Sequence, residues 1–392
     1  MTAGCPDLMP EDRPVGTPEG FAKAVGGAFT LPPLEVAGDL GKAQARWRAL
    51  LADHLYGVVP EAPDEISVTR HPIPAERAER LAITLSHAGQ DFTVHAALWL
   101  PEGTTGPVPL ICGLDFVGPA GVMSTDSFPL DLNAKVYTRP EFGAHTGRLS
   151  ACLRGTSMYR WPIPLIHQAG FGVLLSCYGS WVPDDVETCQ THGVCPLMDP
   201  DQTGAISLWA WAMQRLVDVA QGLPEVDGAR IAIAGHSRLG KAALWAAAQD
   251  ARISAVFANN SGCGGSAPAR HPMGETLEQM AQVYPHWTRP TVATDPAKLP
   301  FDQHHLLASI APRAVYLGNA EDDIWADPVG SYHALRAAST CWLGAKEWPS
   351  IEELWLSGRS VQNDALGYHL RPGGHDLLPY DWALFLKFLK TL

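Results

Sequence analysis

The sequence predicts an α/β fold, a three-layer αβα sandwich built on a mostly parallel central sheet. Three observations lead there. Apolar runs of strand length recur along the chain: VPLICGLDF at Val108–Phe116, GFGVLLSC at Gly170–Cys177, RIAIAG before Ser237, ISAVFAN from Ile253 and APRAVYLGN at Ala311–Asn319. Strands covered on both faces read as such unbroken runs. Helical patterns separate several of them, and runs such as those at Val108 and Ile253 open into glycine-rich loops at the end where ligands bind in open α/β sheets. No internal repeat of about 20 to 50 residues is present, which removes solenoids and propellers.

Taken in order, the chain begins with an irregular arm over 1–36, and the rest reads as one domain, 37–392, with loop insertions at 117–165 and 264–300. A helix is expected from Lys42 to Tyr56, stopped by Pro60 and Pro63. The pieces ISVTRH, LAITLSH and FTVHAALWL follow, the last two alternating around Gly89 and Gln90 as an antiparallel pair would. Met123–Trp161 lacks periodicity and is read as an ordered loop over one rim, with Arg148, Arg154 and Arg160 available to it. Tyr178–Gln202 is read as a loop containing Trp181, Pro183, Asp184 and Asp185. In Ala205–Leu223 the apolar Leu208, Trp211, Leu216, Val219 and Ala220 recur at helical spacing, and Trp209 and Trp211 are read as core. A final helix is expected at Tyr380–Thr391.

Composition narrows the partners. Lys and Arg number 28 against 41 Asp and Glu, a net charge of −13 with no basic block, so a nucleic-acid backbone or an anionic membrane surface is repelled. No window approaches the roughly 20 apolar residues of a membrane span, and a monomer is expected. Met1–Gly16 is polar and proline-rich, without the basic start and apolar run of a leader. As written the chain is expected in the cytoplasm, or outside it if a leader was trimmed. Eight scattered cysteines form no C-x-x-C pair, and the histidines and acids do not fall in ligand spacings, so neither a metal nor another cofactor is expected. Cys112 and Cys177 read as small buried hydrophobes, while Cys189 and Cys195 bracket a short loop and are candidates for a bridge in an exported protein.

The chemistry gathers around ARIAIAGHSRLGKAALWAAAQD at Ala229–Asp250, where a strand turns into a helix at Ser237 with almost no loop. Such a turn exposes one hydroxyl beside the first free N–H groups of a helix, which stabilise a developing oxyanion. Arg238 and Lys241 add two cations on the first helical turn. A serine nucleophile needs an imidazole base, and the imidazole an acid. In this architecture the chain order is nucleophile, acid, histidine. Ser237 is followed by the cluster Glu321, Asp322, Asp323 and then by His375 in a glycine turn before the last helix. His375 is favoured over His369, His304 and His305, and Asp323 over Glu321 and Asp322.

Five segments in order carry a resemblance: GHSRLGK at Gly235–Lys241, SGCGG at Ser261–Gly265, LPFDQHHLLASIAPR at Leu299–Arg313, DIWADP at Asp323–Pro328 and GGHD at Gly373–Asp376. Together they resemble the glucuronoyl esterases of carbohydrate esterase family 15, over about Pro107 to Leu392. The resemblance implies an α/β-hydrolase fold and a cofactor-free serine esterase that cleaves esters of glucuronic or O-methyl-glucuronic acid, of the kind linking lignin alcohols to glucuronoxylan. It implies Ser237 as nucleophile, His375 as base, Arg238 as a support of the oxyanion, and Lys241 and Trp325 as binders of the uronate ring. Two positions depart from the family pattern. Many members carry their acid as a glutamate just before the serine-glycine after the next strand, where this chain has Asn260, so the role passes to the loop of Asp323. In the sugar-reading lid, GETLEQMAQVYPHW at Gly274–Trp287, Glu275 is the nearest match and the second acidic position falls close to Tyr284. The alternatives are an acetyl xylan or other small-ester esterase, and a catalytically silent carbohydrate-binding protein.

Overall fold

The computed structural model describes residues 29–36, 38–137, 147–197, 203–344, 347–356 and 360–392. The expected arm before residue 29 and parts of the expected loops at 138–146 and 198–202 lie outside them. The strands are β1 (Glu65–Ile73), β2 (Ala78–His87), β3 (Gln90–Trp99), β4 (Val108–Asp115), β5 (Gly172–Cys177), β6 (Val226–His236), β7 (Ile253–Asn259), β8 (Ala314–Ala320), β9 (Ser360–Asn363) and β10 (Leu366–Arg371). They form one sheet in the order β1-β2-β3-β5-β4-β6-β7-β8-β10-β9. From β5 to β10 every neighbouring pair is parallel, and the β1–β3 meander and β9 add antiparallel edges.

Side-chain alternation divides the core into two layers. On β4, Leu110, Cys112 and Leu114 face one cluster and Ile111 the other; on β6, Ile231 and Ile233 oppose Ala232 and Ala234. The first layer is roofed by the helices Leu40–Leu51, Ala205–Gln221, Arg238–Gln249 and Pro328–Ala338, the second by Ile163–Gln168 and Pro379–Leu389. Strands buried on both faces need both roofs, hence the continuous apolar runs in the sequence. The first helix ends at Leu51 and continues as a π-helical turn through Tyr56. In the helix Pro328–Ala338 eight of eleven residues are buried, and only the narrow face of His333, Arg336 and Ala337 reaches outward.

Within the loop after β5, Cys189 and Cys195 are both free thiols: the Cys195 Sγ–H donates to the Cys189 carbonyl at 2.8 Å. Burial pushes both thiols up, to about 11 and about 12 respectively. Among the described residues no helix is long and apolar enough to cross a membrane, and no three His, Cys, Asp or Glu side chains converge as a metal site.

Candidate active site

β6 stops at His236, the helix begins at Arg238, and Ser237 alone makes the turn, with φ 58° and ψ −127°. Residues with a side chain rarely hold that conformation, which costs on the order of 1–3 kcal/mol and persists only where the surroundings enforce it. Here the Ser237 N–H donates to Asn259 O on β7 at 2.9 Å, and the Ser237 carbonyl accepts Gly240 N–H at 2.9 Å and Lys241 N–H at 3.1 Å. Gly235 is required by space: a Cβ there would lie 2.1 Å from the Leu239 carbonyl oxygen. With Gly240 and Lys241 turned back to Ser237, the N–H groups of Arg238 and Leu239 remain the uncommitted donors of the first turn. Ser237 itself is half-buried.

The histidine turn after β10 meets this elbow. The His375 ring lies 4.6 Å from that of His236, the residue before Ser237, and its Nδ1 is 2.5 Å from Asp323 Oδ2. Asp323 is buried at the start of a 3-10 turn after β8, its other oxygen accepting Ala326 N–H at 3.3 Å, while the His375 side chain is 36% exposed and reachable. The main chain just before Asp323 ties this loop to the turn of His375: Glu321 N–H donates to Arg371 O at 2.8 Å and Asp322 N–H to Gly373 O at 3.1 Å, and the Asp322 side chain is exposed. His369 is elsewhere, buried between Tyr316 OH at 3.1 Å and Asp381 at 2.7 Å. His304 Nε2 is 2.8 Å from Pro32 O, and His305 caps its own helix at Asp302, so neither approaches Ser237.

Asn260, in a left-handed conformation (φ 46°), does not touch the imidazole. Its Nδ2 donates to Asp376 O at 3.0 Å and its Oδ1 accepts Ala320 N–H at 2.9 Å, so it joins the loop of Asp323 to the turn of His375. That turn is held from below as well. Arg371 donates to the Gly374 and Asp376 carbonyls at 3.0 and 2.5 Å, and the Asp376 carboxylate accepts Arg160 at 2.7 Å and Tyr159 OH at 3.0 Å from the 117–165 insertion.

On the other side of Ser237, Lys241 is buried, its Nζ donating to Ser261 O at 2.9 Å and to Cys263 O, with Glu275 Oε2 at 3.5 Å. Glu275 N–H donates in turn to Trp325 O at 2.9 Å, two residues beyond Asp323. Lys241, Glu275 and the half-buried Trp325 therefore lie together beside the elbow. Sequence reasoning placed Asp184 in a loop and gave it no role. From the loop after β5, Asp184 forms a buried ion pair with Arg238, and the same carboxylate accepts Tyr178 OH at 2.7 Å and, on its other oxygen, His286 Nε2 and Trp287 Nε1 at 2.9 Å each. Arg238 holds the carboxyl far below the usual carboxylate range although burial opposes this. No local pattern marks Asp184, because its partners lie 54 to 103 residues away for Arg238, His286 and Trp287.

A serine on a strand–helix elbow, with acid and histidine arriving from later strand ends of a doubly covered sheet, is the arrangement of the α/β-hydrolases. Comparison with known proteins narrows the class. A family model for glucuronyl esterase of fungi matches residues 197–344. Carbohydrate esterase MZ0003, from an unknown prokaryotic organism, is 31% identical over 362 residues, covering 86% of this chain and 82% of that protein. Among solved structures, a promiscuous esterase of carbohydrate esterase family 15 from a marine bacterial metagenome superposes with a TM-score of 0.81 at 28% identity, over 93% of this chain and 97% of the other. A glucuronoyl esterase from Solibacter usitatus gives 0.78 at 30% identity, over 93% and 98%. The chain belongs to carbohydrate esterase family 15, the glucuronoyl esterases, and is a carboxylic ester hydrolase.

Proposed function

We propose that this esterase cleaves esters on the carboxyl group of glucuronic or 4-O-methyl-glucuronic acid, as in lignin–glucuronoxylan links, through Ser237, His375 and Asp323. The observation that carries the reading is the His375 imidazole, with Asp323 2.5 Å from Nδ1 and the ring against the residue that precedes Ser237. Ser237 Oγ attacks the ester carbonyl carbon and its proton passes to His375 Nε2; Asp323 holds the Nδ1–H and stabilises the imidazolium. The tetrahedral oxyanion collapses, the alcohol leaves with the proton from His375, and an acyl-enzyme remains. Water, deprotonated by His375, then releases Ser237 and a uronate.

The oxyanion is received by the N–H of Arg238 at the head of the helix, with its guanidinium as a second support. In many α/β-hydrolases a backbone N–H from the loop after an earlier strand supplies the second donor. In this chain the corresponding Val117 and Gly118 N–H groups both donate to Asp115 Oδ1 at 2.9 Å, which favours the guanidinium for that part. Lys241, Glu275 and Trp325 form the proposed uronate-binding set, with Lys241 fixed by the Ser261 and Cys263 carbonyls and Glu275 within reach of its ammonium.

The test is a panel of uronate, acetyl and feruloyl esters run with wild type and Ser237→Ala. Hydrolysis of the methyl or benzyl glucuronate ester is expected to dominate and to vanish in the variant. Retained activity in Ser237→Ala sinks the mechanism, and preference for acetyl esters sinks the substrate assignment.

A further inference from the structure

Arg238, next to the nucleophile in the chain, pairs with a carboxylate that is buried as deeply as itself. Its side chain is 6% exposed and that of Asp184 3%. The guanidinium carbon lies 4.4 Å from the Trp287 ring centroid, 4.5 Å from Tyr137, 5.2 Å from Tyr284 and 5.7 Å from Phe116. Trp287 serves twice, with its ring against the cation and its N–H donated to the anion. Tyr284 stacks flat on Trp287, with centroids 3.7 Å apart. Asp184 in turn accepts four donors, from Tyr178, Arg238, His286 and Trp287, which fills a carboxylate.

A buried ion pair is a poor way to gain stability, because desolvation offsets most of the attraction. Its benefit must be sought in the reaction. Resting on the proposed mechanism, one difficulty follows from the product: it is a carboxylate formed at the carbon where the oxyanion had been. A bare, desolvated guanidinium binds a carboxylate strongly and would keep the product in place.

We propose that Asp184 is the positioning residue of Arg238, fixing the guanidinium beside Ser237 and cancelling its net charge, so that it supports the transient oxyanion without trapping the uronate product. A neutral Arg–Asp pair still presents N–H dipoles to an oxygen whose charge is developing close by. Toward a fully formed anion it exerts much less attraction than a lone cation does.

The experiment measures steady-state kinetics on benzyl glucuronate, with D-glucuronate as product inhibitor, for wild type and Asp184→Asn. The expected result is a kcat at least tenfold lower, a KM within threefold, and a glucuronate inhibition constant at least fivefold lower. A kcat within threefold of wild type, or inhibition by glucuronate that is unchanged or weaker, overturns the proposal. Should Asp184→Asn not fold by circular dichroism, Trp287→Phe decides: it keeps a ring against the guanidinium and removes one donor from Asp184. A threefold or larger loss of kcat at unchanged KM supports the proposal, and an unchanged kcat overturns it. Fluorophosphonate labelling of Ser237 separates the two readings. Wild type that resists labelling defeats the serine mechanism, whereas labelled wild type with normal Asp184→Asn kinetics defeats the role of Asp184 alone.

Discussion

Ser237 holds its strained turn because three backbone hydrogen bonds and the absence of a Cβ at Gly235 leave no relaxed alternative. That much was legible in GHSRLGK, since an abrupt change from strand to helical pattern marks such a turn. The acid was only half legible. Three adjacent carboxylates offered themselves, and it is the Asp323 carboxylate that lies against His375 Nδ1. On the proposed mechanism, Asp323→Asn is expected to lower kcat by about 10²–10⁴-fold, because the imidazole loses its orientation and its counter-charge. Asn260→Ala is expected to cost less than about tenfold in kcat and to lower Tm by a few degrees, since what disappears is a pair of buried hydrogen bonds between two loops. Parallel kinetics and melting curves check both. A larger rate loss for Asn260→Ala than for Asp323→Asn would move the acid function away from Asp323.

The short helix Gln303–Ala308 starts with a capping box in which Asp302 N–H donates to His305 Nδ1 at 3.2 Å. Accepting that bond requires a neutral ring. Burial, with His304 alongside, pushes His305 down from 6.5 to about 3, and burial lowers His304 as well. The unfolded chain takes up a proton below about pH 6.5 that the folded chain refuses until about pH 3, so stability falls as pH drops through that window. The slope is at most about 1.4 kcal/mol per pH unit for one group. His305→Gln keeps an acceptor for the cap without a titrating ring. Urea denaturation at pH 7 and pH 5 is expected to show wild type losing about 2 kcal/mol more than the variant, and equal losses would show that His305 does not report on folding. The sequence showed LPFDQHHLLASIAPR only as a motif. Its histidines became structural once Pro32 and Asp302 were found against them, contacts that no spacing rule encodes.

At the scale of the whole molecule, the net charge of −13 acts on long-range encounter rather than on the buried, locally neutralised pair at the site. If the substrate is glucuronoxylan, a polyanion through its free uronates, it is repelled at low salt, whereas a small methyl ester is not. Raising ionic strength from about 0.01 to 0.15 M shortens the screening length from about 30 to about 8 Å. A severalfold rise in kcat/KM on the polymer with little change on the methyl ester is therefore expected, and an identical response of the two substrates would count against the polyanion. The sequence by itself determined the layered α/β architecture and the strand that turns into a helix at Ser237. Hydrophobic period and turn residues act over a few positions, and these features need nothing more. The tertiary structure alone decided which polar groups meet. Asp184 reaches Arg238 across 54 residues, His286 reaches Asp184 across 102, and Asn260 reaches Asp376 across 116. Such pairings depend on the order of strands in the sheet and on where the insertions come to rest, and burial then makes each one binding, because a charge enclosed without its partner costs more than the fold can bear.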